Sequence, residues 1–213
     1  MYGVAVISRK GGTGKTTLAV HLAVAAMLSG FETVIIDLDT QASATKWFDI
    51  RDKEDLSVVS AHATRLQQIM HTAKQHGAEF VIIDTSGKTG DDAEAAVEAA
   101  DLALIPCRPA MFDLQAISLT VKVANNANVP AHIVFNCVDP RSIMFQNARQ
   151  SVDIYDAKCV PVLIGDYVAF QYPLLDGRTA QEFDLNSKAS SQINALFKYV
   201  VRELEELHRG KAT

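Results

Sequence analysis

The sequence predicts an α/β fold: a mostly parallel twisted β-sheet with helices on both faces. Three observations carry this expectation. Short apolar runs of β type alternate with stretches of helical periodicity along the whole chain. The runs have polar flanks and mostly apolar bodies, as strands of a sheet covered on both faces do. No repeat, low-complexity tract or Pro/Gly/Ser linker interrupts the pattern, so residues 1–213 are expected to form a single domain.

The elements follow in order. Residues 2–8 (YGVAVIS) read as a buried strand running into a glycine-rich loop, and a helix follows over 15–29 with Gly30 as its stop signal. Residues 33–37 (TVIID) and 80–84 (FVIID) are apolar runs that each end in an acid. Residues 102–106 and 131–136 are further strands, and 56–60 a shorter one. Helical spacing covers 63–75, 92–100, 114–125, 143–155 and 190–208. Right-handed crossovers place the carboxyl ends of such strands along one edge, where ligands bind.

Composition narrows the function classes. No apolar run reaches the ~18 residues of a membrane span, and the N-terminus lacks a signal peptide's basic start and long apolar core, which makes a cytoplasmic location the default. Cys107, Cys137 and Cys159 are odd in number and too widely spaced for a disulfide framework or a zinc site, and read as buried, inert thiols. The net charge of −5 lies entirely in residues 1–106, with 9 Lys/Arg against 14 Asp/Glu. That balance argues against a large nucleic-acid footprint while leaving room for a local basic patch.

The strongest signal is S-R-K-G-G-T-G-K-T-T over residues 8–17, between a strand and a helix. Gly11, Gly12 and Gly14 allow backbone conformations closed to other residues, so successive N–H groups, those of Thr13 and Thr17 included, can face phosphate oxygens. The helix start adds partial positive charge. Lys15 can reach the β- and γ-phosphates, and the Thr16 hydroxyl can ligate Mg²⁺. This is the loop of a P-loop NTPase fold, except that Arg9 stands where the usual first glycine belongs and a second lysine, Lys10, is present.

The loop with Lys10 resembles that of the ParA/MinD group of P-loop ATPases, which form dimers around two ATP molecules. The resemblance implies ATP and Mg²⁺ as cofactors and a homodimer on ATP binding, with Lys10 reaching the partner's nucleotide. A cation there would offset charge in the transferred phosphoryl group as an arginine finger does. I-D-L-D-T-Q at 36–41 resembles the group's D-x-D-P-Q motif, with Thr40 replacing Pro. Asp37 and Asp39 share one strand face; the resemblance makes Asp39 the residue that orients the attacking water and has Asp37 support the magnesium shell. Asp84 matches a Walker B acid at the end of a hydrophobic strand, followed by Ser86-Gly87 where the group usually has Pro or Ala.

The second half extends the likeness. The segment 106–114 (PCRPAMFDL) resembles one that lies near the nucleotide and dimer interface; a rigid two-proline loop is the alternative. Asn136 stands where related ATPases place an adenine-contacting Asn, and a turn-forming Asn is the competing reading. Residues 167–189 resemble the C-terminal signature of small plasmid-partition ATPases, the ParF-like branch, but Asp166 and Tyr167 occupy a region expected to be basic. The cations left for DNA phosphates are Arg141, Arg149, Arg178, Lys188 and Arg202, though composition alone favours reading each as a solvated surface charge. The stripe at 193, 196, 197, 200, 201, 204 and 207 most simply packs on the sheet, and the acids beside it argue against a membrane-surface helix.

These features together predict an ATPase of partition type. It would bind DNA non-specifically in its ATP-bound dimer, associate with the nucleoid, and be stimulated by a small ParB-like DNA-binding partner, with no membrane attachment. Positioning of a protein cargo is the alternative, and a metabolic ATP-dependent ligase on the same fold a more distant one.

Overall fold

The computed structural model describes residues 1–87 and 91–211. Its centre is a seven-stranded sheet made of β1 (Tyr2–Val6), β2 (Thr33–Asp37), β3 (Ser57–Ser60), β4 (Phe80–Asp84), β5 (Leu102–Cys107), β6 (Ala131–Phe135) and β7 (Lys158–Cys159). The spatial order is β3-β2-β4-β1-β5-β6-β7, and every pairing is parallel. From β1 the chain runs to β2 and β3 on one side, returns to insert β4 beside β1, and then builds β5, β6 and β7 on the other side. The loop after β1 therefore sits at the switch in winding, where such sheets open a crevice.

Period-2 alternation divides the sheet between two cores. Val4, Val6, Ile35, Phe80, Ile82 and Leu104 face α1 (Lys15–Leu28) and the long C-terminal α8 (Lys188–Lys211). Ala5, Ile7, Ile36, Ile83, Ile105 and Ile133 face α3 (Leu66–Gln75), α4 (Asp91–Glu98), α5 (Met111–Asn126) and α6 (Ile143–Ser151). Burial on both faces is why the strands are apolar throughout. The stripe on α8 is spent in the first core through Ile193, Leu196, Phe197, Val200 and Leu204. Among the described residues no helix is long and apolar enough to cross a membrane.

The helix α1 is buried almost all round, which its Ala-rich sequence permits beside the sheet. It ends in a Schellman motif: Phe31 N–H reaches Ala26 O, Gly30 N–H reaches Met27 O, and Gly30 takes φ +90°. Three elements lie outside the sequence expectations: α2 (Ser43–Ile50), the two-residue β7, and α7 (Ala180–Phe183) after two 3₁₀ turns. The expected helices over 63–75 and 143–155 each include a 3₁₀ turn, at Ala63–Arg65 and Val152–Ile154.

Candidate functional site

The register of the central strands assembles the site. Asp37 pairs with Asp84 across β2 and β4, and Val6 pairs with Asp84 across β1 and β4. The two acids and the start of the glycine loop therefore lie side by side at the carboxyl edge. Gly12 and Gly14 hold φ of +74° and +91°, conformations that cost an L-residue about 1–2 kcal/mol. Gly14 also has no room for a side chain, since a Cβ would stand 2.1 Å from Asn136 Nδ2. Gly87 closes the other wall, where a Cβ would meet Gly11 Cα at 2.7 Å and Gly11 N at 2.8 Å. The segment after Asp84 thus rests directly on the phosphate loop.

Lys15 is buried, with Nζ donating to the Lys10 carbonyl at 3.2 Å. Burial lowers its pKa, and Asp84 and Asp39 oppose that shift. Asp84 is fully buried, and among the described residues neither carboxylate oxygen has a well-formed hydrogen bond. Burial pushes Asp84 up to about 7; the Thr16 hydroxyl and Lys15 pull it down, while Asp37 and Asp39 add to the rise. Two orphaned oxygens beside a threonine hydroxyl fit a hydrated divalent cation, which would supply the missing positive charge. Among the described residues no group of three or more His, Cys, Asp or Glu side chains forms a ready-made metal cage. That agrees with a cation held mainly by phosphates and water.

Asp37 plays a mechanical part as well. Its Oδ1 accepts the Asp39 N–H at 3.1 Å, and Oδ2 accepts the Thr45 N–H and hydroxyl at 3.0 and 3.1 Å. It therefore caps α2 from outside the helix and sets the turn that carries Asp39. Asp39 is half-buried, and its Oδ1 accepts the Gln41 N–H at 2.9 Å. Ala42, the N-cap of α2, is held at φ +50°, ψ +47°. Ala42→Gly is expected to stabilise the empty protein by about 0.5–1 kcal/mol by relieving that conformation. A thermal melt reads this as a rise of about 2 °C; a fall would show that the turn is not strained.

Residues 4–164 match the family described as the CobQ/CobB/MinD/ParA nucleotide binding domain. The chain belongs to this family. The maintenance of carboxysome distribution protein A of Gloeobacter kilaueensis is 30% identical over 205 residues, covering 95% of this chain and 93% of that protein. The protein ParA of Rhizobium radiobacter is 31% identical over 145 residues, 64% of this chain and 65% of that one. The solved septum site-determining protein MinD of Pyrococcus horikoshii, complexed with Mg-ADP, superposes with a TM-score of 0.80 at 19% identity. That match covers 93% of this chain and 95% of that one, and it establishes the shared fold.

As a CobQ/CobB/MinD/ParA nucleotide-binding domain, the chain brings Lys10, Gly11, Gly12, Thr13, Gly14, Lys15, Thr16, Thr17, Asp37, Asp39 and Asp84 to one edge, as their places at the ends of β1, β2 and β4 require. Asn136 follows β6 and underpins the loop, with Nδ2 donating to Thr13 O at 2.7 Å and Oδ1 accepting the Cys137 N–H at 3.0 Å. Lys10 forms an ion pair with Asp113 on α5, and its ammonium lies 6.0 Å from the Phe112 ring. The buried Asp113 also accepts from Arg108 Nε at 3.1 Å.

Sequence reasoning singled out the segment holding Asp113 but not its pairing with Lys10, a contact across 103 residues. Gly87 stood out only as a departure from the usual residue. Of the cations considered for DNA, Arg178 is paired with Asp176 at 2.5 Å and Arg202 with Glu203 at 3.4 Å, while Arg141, Arg149 and Lys188 are exposed. Of the three cysteines expected to be buried, only Cys107 is, while Cys137 and Cys159 are half-buried. Burial pushes the Cys107 thiol up to about 12 and also raises Cys137, which suits the inert reading of both.

Proposed function

We propose that this protein is an ATPase that works as a dimerising switch of the partition and positioning type. The observation that carries the reading is the glycine loop that sets the buried Lys15 beside the buried Asp84, whose oxygens lack a well-formed hydrogen bond among the described residues, with the second lysine, Lys10, in the same loop. In this reading the loop N–H groups and Lys15 hold the phosphates of ATP, and Thr16 and Asp84 hold Mg²⁺. Asp37 adds negative charge to the metal shell while its oxygens fix the turn, and Asp39 orients the attacking water. Bound Mg²⁺ would offset charge on the phosphates. Asn136 gives one amide hydrogen to Thr13 of the loop and its Oδ1 to the Cys137 N–H, which leaves the second amide hydrogen for the adenine edge.

Hydrolysis in this reading is completed only in a dimer, where Lys10 of each chain reaches the partner's nucleotide. The ATP-bound dimer associates with DNA without sequence readout, and a partner protein stimulates hydrolysis and release. The likeness to a carboxysome distribution protein supports a protein assembly as cargo, and the likeness to ParA supports a plasmid or chromosome. Both readings share the ATP-gated DNA step.

Binding to random-sequence DNA tests that step. Arg141, Arg149 and Lys188 give six cations per dimer, so log affinity is expected to fall with log salt at a slope of about −5. Binding should need ATP and be lost with ADP. Equal binding in both nucleotide states, or none at low salt with ATP, would remove the DNA step from the proposal.

A further inference from the structure

Behind the phosphate loop, a run of buried polar contacts joins the two helices that carry the ends of the site. His21 lies on α1, one turn beyond Thr17, and is fully buried. Its Nδ1 is 2.7 Å from the Thr17 carbonyl, and its Nε2 is 3.2 Å from the Ala180 N–H. A carbonyl must accept and an N–H must donate, so both contacts are met only by the neutral ring with its proton on Nδ1. Burial pushes His21 down to about 4, which keeps that form through the neutral range. The His21 carbonyl in turn accepts from Gln181 Nε2 at 2.9 Å.

The next residue, Glu182, closes a capping box with Thr179 and grips Arg51. Arg51 donates to Glu182 Oε1 and Oε2, each at 2.8 Å, to both oxygens of Asp55 at 2.7 and 2.9 Å, and to the Gly177 carbonyl at 2.9 Å. Its guanidinium lies 5.3 Å from the Trp47 ring. Burial alone would raise Glu182, but Arg51, Lys53 and the Thr179 N–H hold it at about 2. Arg51 is the C-cap of α2, and Asp37 caps the other end.

The helix α2 meets the core through Ala44, Trp47 and the partly buried Phe48. Of its eight residues only Ala44 and Trp47 are buried. Core packing seats one face of the helix, and a forked Arg–carboxylate pair at its end fixes direction as well as distance. A buried ion pair gives little net stability over apolar groups of the same volume. Its plainer use here is geometric.

We infer that residues 177–182 form a positioning strap, in which Arg51 and Glu182 hold α2, and with it the Asp37–Asp39 turn, at a set distance from the phosphate-loop helix gripped at His21. The strap completes a path of contacts from Thr17 through His21, Ala180, Glu182, Arg51 and Thr45 to Asp37. Arg51, Glu182 and His21 are positioning residues: they act through the turn and touch no phosphate. The inference rests on the ATPase reading, since it concerns where Asp39 stands relative to bound ATP. A misplacement near 1 Å in such a site lowers turnover by up to about a hundredfold.

The test compares Glu182→Gln and Arg51→Lys with the unaltered protein, scoring ATP turnover per nucleotide-binding site well below each melting temperature. Glu182→Gln keeps the volume and one acceptor oxygen; Arg51→Lys keeps the buried cation but removes the fork, and covers the case in which the first variant does not fold. In each, kcat per site is expected to fall about tenfold, with KM for ATP and ADP affinity within about twofold. A lowered melting temperature with unchanged kcat per site would reduce the strap to packing and overturn the inference. If the unaltered protein binds ATP but never turns it over, the ATPase reading fails and takes the inference with it.

Discussion

Lys15→Ala is expected to abolish ATP turnover and to weaken nucleotide binding by about two to three orders of magnitude. The size follows from the charge-assisted bonds that the ammonium would make to the phosphates, each worth about 1.5–3 kcal/mol, at about 1.4 kcal/mol per tenfold change. The loss also removes the lysine on which Asp84 and Asp39 both act in the empty site, leaving Mg²⁺ alone to offset the acids and the polyphosphate. Folding should change little, because burial already penalises this cation in the empty protein. The check is a thermal shift with ADP. At about a hundred times its Kd, ADP adds about 2.7 kcal/mol to the unaltered protein. In the variant at the same concentration that gain should nearly vanish. A full ADP shift in Lys15→Ala would mean that the phosphates are bound elsewhere.

How much of this was legible in the sequence depends on the range of the contacts. The strands ending in Asp37 and Asp84 are local runs of buried apolar residues, and their parallel pairing follows once helices separate them. The glycine loop was legible because its backbone requirement is written in residue type: Gly12 and Gly14 both take positive φ. By contrast, α2 carries no cap signature of its own. Ala42 stands at its N-cap, and the capping oxygen comes from Asp37. A helix whose cap lies outside it cannot be seen by local spacing.

The same limit applied to the strap. Thr179 and Glu182 are three apart, which is a local capping-box signature, but their attachment to Arg51 spans 131 residues and depends on the finished fold. Asn136 shows a subtler case. Its residue type suits an adenine contact and a loop support equally well, and only the 2.7 Å bond to Thr13 reveals the second. The pairing of Lys10 with Asp113 is of this kind too, and it bears on how turnover is controlled.

Lys10→Ala is expected to leave ADP and ATP affinity within about threefold and to lower turnover about a thousandfold, the lower end of the range for a finger residue supplied in trans. In the single chain Lys10 is not free to act, because its ammonium is paired with the buried Asp113. Arg108 is on the other oxygen of the same carboxylate. In the proposed dimer a Lys10 that moved to the partner's nucleotide would leave Arg108 on Asp113, so the buried acid would not be stranded without a cation. Two measurements check this. Turnover per chain should rise with protein concentration in the unaltered protein and stay low and flat in Lys10→Ala. Arg108→Ala should then act in the opposite sense to a simple loss of surface charge. With only Lys10 left on Asp113, the lysine is held more firmly within its own chain, and turnover should fall several-fold at unchanged nucleotide affinity. Normal turnover in Lys10→Ala, at any protein concentration, would show that this lysine serves its own chain through Asp113 and nothing across a dimer.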